Sequence, residues 1–156
     1  MRGKRRNSAA ARVHLQSTKR ELTRRLKQTG VLKFLGSRLM AADWGRVTLR
    51  IRVERRMLQA HRVVHGGVMA TLADTAGGMA TYMAVPVGSR VATVEMKINF
   101  LEPVDQGTMT ADARVIRLGR NFAVVDCDVK DHAGKLVGKA LMTFAHDAAA
   151  NPRWKR

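Results

Sequence analysis

Residues 65–84 read His65-Gly66-Gly67-Val68-Met69-Ala70-Thr71-Leu72-Ala73-Asp74-Thr75-Ala76-Gly77-Gly78-Met79-Ala80-Thr81-Tyr82-Met83-Ala84. Val68, Leu72, Ala76, Met79 and Met83 recur at helical spacing and form one apolar stripe. Pro86 and Gly88 end the helix. Beyond them the period changes to two. Ala92, Val94, Met96, Ile98 and Phe100 alternate with Thr93, Glu95, Lys97 and Asn99, and Met109, Ala111, Ala113 and Val115 mark the next strand. Pro103 to Gly107 read as a turn between the two. Gly119-Arg120-Asn121 and Asp131-His132-Ala133-Gly134 read as hairpin loops on either side of a strand at 122–130. The last strand runs from about Leu136 to Ala145. One long apolar helix followed by a four-strand antiparallel meander predicts an α+β layer structure, with the sheet curled round the helix.

The pattern upstream adds strands and a helical extension. Val47, Leu49, Ile51 and Val53 alternate with Arg46, Thr48, Arg50 and Arg52, a half-buried strand with a basic outer face. Leu39 to Ala42 suit an edge strand, with Trp44-Gly45 as the turn. Thr18-Lys19-Arg20-Glu21 has capping-box spacing and predicts a helix start, with Leu22 and Leu26 on one face and Gly30 as the stop. A short apolar segment, Val31 to Leu35, ends at Gly36. Residues 1–16 lack hydrophobic periodicity and read as disordered. The predicted organisation is a basic tail over 1–18, one domain over 19–147 that includes the N-terminal helix, and a C-terminal tail over 148–156.

At 156 residues the chain suits a single domain. Its formal charge of +17 is uneven: eighteen of the 29 basic residues, but only three of the twelve acidic ones, lie at or before Arg62. Such asymmetry fits an anionic partner such as nucleic acid, anionic lipid or a phosphorylated ligand, and equally a solvated basic tail. No apolar segment follows the basic start as a secretory signal requires, so the chain reads as cytoplasmic. The Arg-rich opening, free of acids before Glu21, also resembles a mitochondrial transit peptide. The longest stretch poor in charge, Gly66 to Ser89, contains Asp74, five glycines and a proline, and makes a poor membrane span. The lone Cys127 precludes an internal disulfide, and its neighbours Asp126 and Asp128 oppose thiolate formation. It reads as structural.

The chemistry concentrates in residues 65–78. Gly66 and Gly67 at a helix start let another group approach free backbone N–H donors, and the helix dipole adds to their pull on a developing oxyanion. An acyl thioester needs that service, because its carbonyl oxygen gains charge under attack. Asp74, the only charge in the helix, can act there as general base or nucleophile; the bland reading is an exposed or interface-bonded Asp. Eight residues of helix separate Gly66 from Asp74 by about 12 Å, too far to share one carbon atom. If both act, Asp74 must serve a site completed by a second, antiparallel copy, which predicts a two-fold homodimer. His61 and His65 are four apart but have no acidic or Cys partner nearby, so no metal site is expected, and no cofactor either.

His65-Gly66-Gly67 followed by Leu72-Ala73-Asp74-Thr75-Ala76 resembles the motif of the PaaI-like hotdog thioesterases, the THEM2-like or acyl-CoA thioesterase 13 group. Thr93 to Pro103 resembles that family's next strand, and Gly119-Arg120 and Gly134-Lys135 its later loops, so the likeness covers roughly residues 31–146. The resemblance implies a hotdog fold and hydrolysis of acyl-CoA thioesters. In it the Gly66 N–H polarises the carbonyl, and Asp74 of the other subunit activates or replaces water. Thr93 would hold that water, Gln59 would orient the nucleophile or carbonyl, and His65 would position the helix start. Gly67 joins the substrate-binding set. Arg117, Gly119 and Arg120 at a hairpin, with Lys97, are candidates for the CoA phosphates. The pattern breaks at Arg62, where the family usually has Gly, and this bears on the substrate range. Dimers that pair into tetramers fit the same resemblance.

Two other readings compete. A non-catalytic acyl-CoA-binding regulator would use the basic N-terminus on nucleic acid, but residues 1–36 offer one capped helix and a short second segment, and a sensor has no need of Asp74. A hotdog dehydratase would require a His paired with an acid, and no such spacing is present.

Overall fold

The computed structural model describes residues 9–147, with side chains from Gln16 onward. The elements are α1 (Ala9–Gln28), α2 (Gly30–Phe34), β1 (Arg38–Asp43), β2 (Arg46–Arg52), a 3-10 turn at Arg55–Met57, α3 (Gly66–Ala84), β3 (Arg90–Phe100), β4 (Thr108–Leu118), β5 (Phe122–Lys130) and β6 (Leu136–Asp147). All six strands pair antiparallel in one sheet of order β1-β2-β4-β5-β6-β3. The sheet wraps α3, which packs against β2, β4, β5 and β3.

Alternation explains the strands well. Val47, Leu49 and Ile51 of β2, Met109, Ala111 and Ala113 of β4, and Val125, Cys127 and Val129 of β5 are all buried against α3. The helix itself is buried over more than its predicted stripe: Ala73, Gly77, Ala80 and Tyr82 join Leu72, Ala76, Met79 and Met83 in the core. A curled sheet covers more than one face of a helix, so small residues there are packing sites too. A Cβ on Gly77 would lie 2.7 Å from Met142 Cε and 2.9 Å from the Phe144 ring, so glycine lets α3 approach β6.

Three expectations need correction. The capping box at Thr18 is not a helix start: α1 begins at Ala9, and Thr18 is a buried interior residue. The run Ala9-Ala10-Ala11 supplies strong helix formers that extend the helix upstream. Of the expected disordered segment, residues 1–8 lie outside the described residues, as does the tail from 148. The helix stop expected at Gly30 comes two residues earlier: α1 ends at Gln28, and Gly30 opens α2 after a one-residue joint. Nor is the C-terminal sheet a four-strand meander. Strands β4, β5 and β6 form one, but β3 pairs with β6 at the far edge. The segment after β3 is therefore a crossover across the end of the sheet, tied by Leu101 N–H to Val137 O (2.9 Å) and Val64 N–H to Val104 O (2.7 Å).

The predicted basic face of β2 is partly neutralised across the sheet. Arg46 bonds Asp112 (Nε–Oδ1 3.0 Å), and Arg50 donates to Thr110 Oγ1 (3.0 Å). The Arg46 guanidinium holds the Asp112 carboxyl below the ordinary Asp range, against a smaller opposing effect of burial.

Arg62 is the only non-glycine residue with positive φ among the described residues, at 61°. It sits in a tight loop whose Gln59 N–H bonds Val63 O (2.8 Å) and whose Arg62 N–H bonds Gln59 O (2.9 Å). The left-handed conformation explains why glycine suits this position and costs an L-residue about 1–2 kcal/mol. Part of that is offset by the backbone freedom glycine loses on folding, roughly 0.5–1 kcal/mol. Arg62→Gly is expected to raise Tm by about 2–4 °C, the equivalent of about 1 kcal/mol. An unchanged or lower midpoint in a thermal melt would contradict the strain.

Candidate active site

The N-terminus of α3 follows from His65, which caps it. The His65 imidazole Nδ1 accepts the Gly67 N–H at 2.9 Å, and its backbone carbonyl accepts the Val68 N–H at 2.9 Å. Since Nδ1 accepts, the ring proton of the neutral imidazole sits on Nε2. The cap consumes the Gly67 donor. Among the described residues the Gly66 N–H has no partner, and it is the donor left free at this helix start. A Cβ at Gly66 would lie 3.2 Å from Phe100 Cζ, a tight contact that the exposed ring relieves only by shifting. Gln59 and Phe100 line the same cavity as Gly66, with Met69, Val64 and Val104, a space of about 370 Å3.

Two helical turns on, Asp74 is half-buried and accepts a 2.7 Å hydrogen bond from Thr93 Oγ1 on Oδ1. Plain alternation along β3 would turn Thr93 away from the helix. A bulge between Thr93 and Glu95 reverses that, because Thr93 pairs with inward-facing Phe144 while Met96 pairs with inward-facing Met142. Val94 is the extra residue, so Thr93, Met96, Ile98 and Phe100 all face the core side of the strand. Asp74 and Thr93 line a second cavity, of about 240 Å3, roofed by α1 and α2.

The protomer thus brings together Asp74 with Thr93, and Gly66 with Gln59, but leaves the two pairs in separate cavities. Of the other candidates, exposed Lys97 lies midway along β3. Arg117, Gly119 and Arg120 surround the β4–β5 hairpin, closed by Gly119 N–H to Phe122 O at 2.8 Å. The register Phe122–Ala145–Ala92 puts that hairpin at the Thr93 end of the sheet, two strands from β3. Absent from the sequence reading were Arg25, Thr29 and Tyr82, which line the Asp74 cavity. Arg25 falls between Leu22 and Leu26, so its neighbours signal only a helix face.

Cys127 is buried, and its thiol is pushed up to about 12, chiefly by burial and further by Asp128, Asp112 and Asp126. Native protein at pH 8 is expected to resist thiol reagents, with labelling only on denaturation. Rapid stoichiometric labelling of folded protein would show the thiol accessible. Among the described residues no three His, Cys, Asp or Glu gather as a metal site, and no helix is long and apolar enough to cross a membrane.

Residues 61–138, half of the chain, match the model of the thioesterase superfamily. The chain belongs to the thioesterase superfamily. Its structure is similar to that of the thioesterase HI1161 from Haemophilus influenzae, at TM-score 0.76 and 29% identity over 81% of this chain and 89% of that one. The Escherichia coli PaaI protein superposes at TM-score 0.79 and 24% identity, covering 86% of this chain and 96% of its own, a likeness of fold. A 1,4-dihydroxy-2-naphthoyl-CoA hydrolase of Listeria monocytogenes is 24% identical over 74% of this chain and 94% of that enzyme. The hotdog fold expected from the His-Gly-Gly motif is therefore the fold observed, and this superfamily member is a thioester hydrolase.

Proposed function

We propose that this thioesterase hydrolyses acyl-CoA thioesters as a two-fold homodimer, with Asp74 of one subunit and Gly66 of the other at each site. The observation that carries the reading is the division of the site: a carboxylate with its hydroxyl partner in one cavity, a free backbone donor in another. Edge strand β3 supports the pairing. It runs eleven residues, has β6 as its one strand neighbour among the described residues, and exposes Val94 (57%) and Phe100 (54%), so a monomer would leave a long unpaired edge open to other chains. Thr93 adjoins Asp74, and Phe100 adjoins Gly66, in the same protomer. A two-fold axis crossing β3 midway between them sets two such strands antiparallel and each Asp74 against the partner's Gly66.

In that arrangement the carbonyl oxygen accepts the free Gly66 N–H at the positive end of α3. Thr93 anchors Asp74 Oδ1, and Oδ2, without a partner among the described residues, takes the proton of attacking water or attacks the carbonyl carbon itself. On the general-base route the water oxygen replaces sulfur at the carbonyl carbon, and Asp74 returns its proton to the departing CoA thiolate. On the nucleophilic route the thiolate leaves first, and water then hydrolyses the acyl–Asp74 anhydride to the free acid. Gln59, beside Gly66, orients the carbonyl, and His65 fixes the donor through its cap. Arg117, Arg120 and Lys97 remain the candidates for the CoA phosphates. The CoA hydrolase activity named for the Listeria relative supports the substrate class. The test is thiol release from a panel of short, medium, long and aromatic acyl-CoAs. Turnover of at least one is expected, and none at all would refute the reading.

A further inference from the structure

The Asp74 cavity has a second, polar end that hydrolysis itself does not require. Its roof is the N-terminal helical pair, with Leu22 and Arg25 from α1, Thr29 at the joint and Leu32 from α2. Leu22, Leu32 and Phe144 are buried and give it an apolar lining. At about 240 Å3 it is larger than the cavity of roughly 150 Å3 that takes a benzene molecule. It is smaller than the roughly 300 Å3 at which sites for drug-sized ligands begin. A compact acyl group fits within it.

The polar end opens to solvent, with the Arg25 side chain 47% exposed. Arg25 lies over the Tyr82 ring, 4.4 Å from its centroid, and donates Nε to Glu21 Oε1 at 2.8 Å. Its two Nη groups have no hydrogen bond, and neither do the hydroxyls of Thr29, Thr75 and Tyr82, among the described residues. Glu21 does not neutralise Arg25 fully, because Arg24 already grips both its oxygens at 2.7 Å. One carboxylate therefore faces two guanidiniums, and Asp74, the carboxylate in the cavity lining, makes no ion pair with Arg25 among the described residues. A wholly apolar ligand would displace solvent from these donors without replacing its hydrogen bonds, whereas an oxyanion would replace them with charge-assisted ones.

We propose that this cavity is the acyl pocket and that Arg25, with Tyr82 and Thr29, selects compact acyl groups whose far end carries a carboxylate. The proposal rests on the hydrolysis reading above, and it makes α1 a specificity element rather than a mere cover.

The test compares glutaryl-CoA with pentanoyl-CoA, five-carbon acyl chains that differ at the far end. For the wild-type protein kcat/KM is expected to favour glutaryl-CoA at least about tenfold, one charge-assisted contact's worth. Arg25→Gln should lower that ratio about tenfold or more, and Arg25→Lys should keep it in the same direction. Equal rates, a preference for pentanoyl-CoA, or an unchanged ratio in Arg25→Gln would overturn the proposal while leaving the hydrolysis reading intact. If neither thioester turns over, calorimetric binding of the two decides the pocket, and the hydrolysis reading fails only if the whole acyl-CoA panel is inert. Tighter glutaryl-CoA binding that Arg25→Gln abolishes supports it, and equal affinities overturn it.

Discussion

Asp74→Asn is expected to lower kcat for thioester hydrolysis by about a thousandfold, with KM little changed. General-base catalysis is commonly worth about a hundred- to ten-thousandfold, and a thousandfold is about 4 kcal/mol of barrier. The substitution isolates the charge. Asn keeps the size of the side chain and an Oδ1 that can still accept from Thr93 Oγ1, so the 2.7 Å contact and the helix should survive. What it loses is the ability to take a proton or to attack carbon. A fall in kcat at steady KM therefore marks an interaction made in the transition state rather than in binding. Thiol release by a variant of unaltered circular dichroism and melting temperature is the measurement. Activity equal to that of the wild type would remove Asp74 from the mechanism.

Mixing two inactive proteins is expected to restore activity if each site takes Asp74 from one subunit and Gly66 from the other. Gly66→Pro deletes the free N–H while placing proline at the first position of α3, where its φ is suited and no intrahelical bond is lost. The added atoms meet the Phe100 ring, 3.2 Å from the Cβ position, so a small shift of that ring is required and folding must be checked. Losing one oxyanion donor costs about a hundred- to a thousandfold in kcat. In a mixed dimer of Asp74→Asn with Gly66→Pro, one site carries both defects and the other carries neither. Random reassortment makes half the dimers mixed, so denaturing and refolding the two together should recover about a quarter of wild-type activity. No recovery, with mixed dimers shown to form and each variant inactive alone, would mean that both groups serve within one chain.

The strained loop belongs to the same region. Arg62 holds a left-handed turn, at φ 61°, that glycine would adopt without strain. The loop geometry next to Gln59 is thus maintained at a cost in stability.

The local elements were largely legible because each is set by short-range rules. Alternation at Val47, Leu49 and Ile51 reports a strand with one buried face, and the five-residue stripe of α3 reports a helix with a packed side. Rules of that range do not choose strand partners. They pointed to β3 beside β4, whereas β3 pairs with β6, because wrapping α3 from both sides decides which edges meet. The capping box at Thr18 was an equally local signal, overruled by a helix that continues upstream and buries Thr18.

The site divides along the same line. The amino-acid sequence by itself determined the helix with glycines at its start, Asp74 two turns on, and a separation too long for one chain to close. Those follow from composition and helical rise alone. Only the tertiary structure decided that Thr93 would reach Asp74, since the bulge at Val94 comes from fitting β3 to β6 and turns over the face that alternation had assigned. It also decided that the His65 cap would consume the Gly67 N–H and leave Gly66 as the donor. And it alone brought Arg25 over Tyr82, because contacts between residues 57 positions apart arise from packing α1 across α3, which no periodicity records.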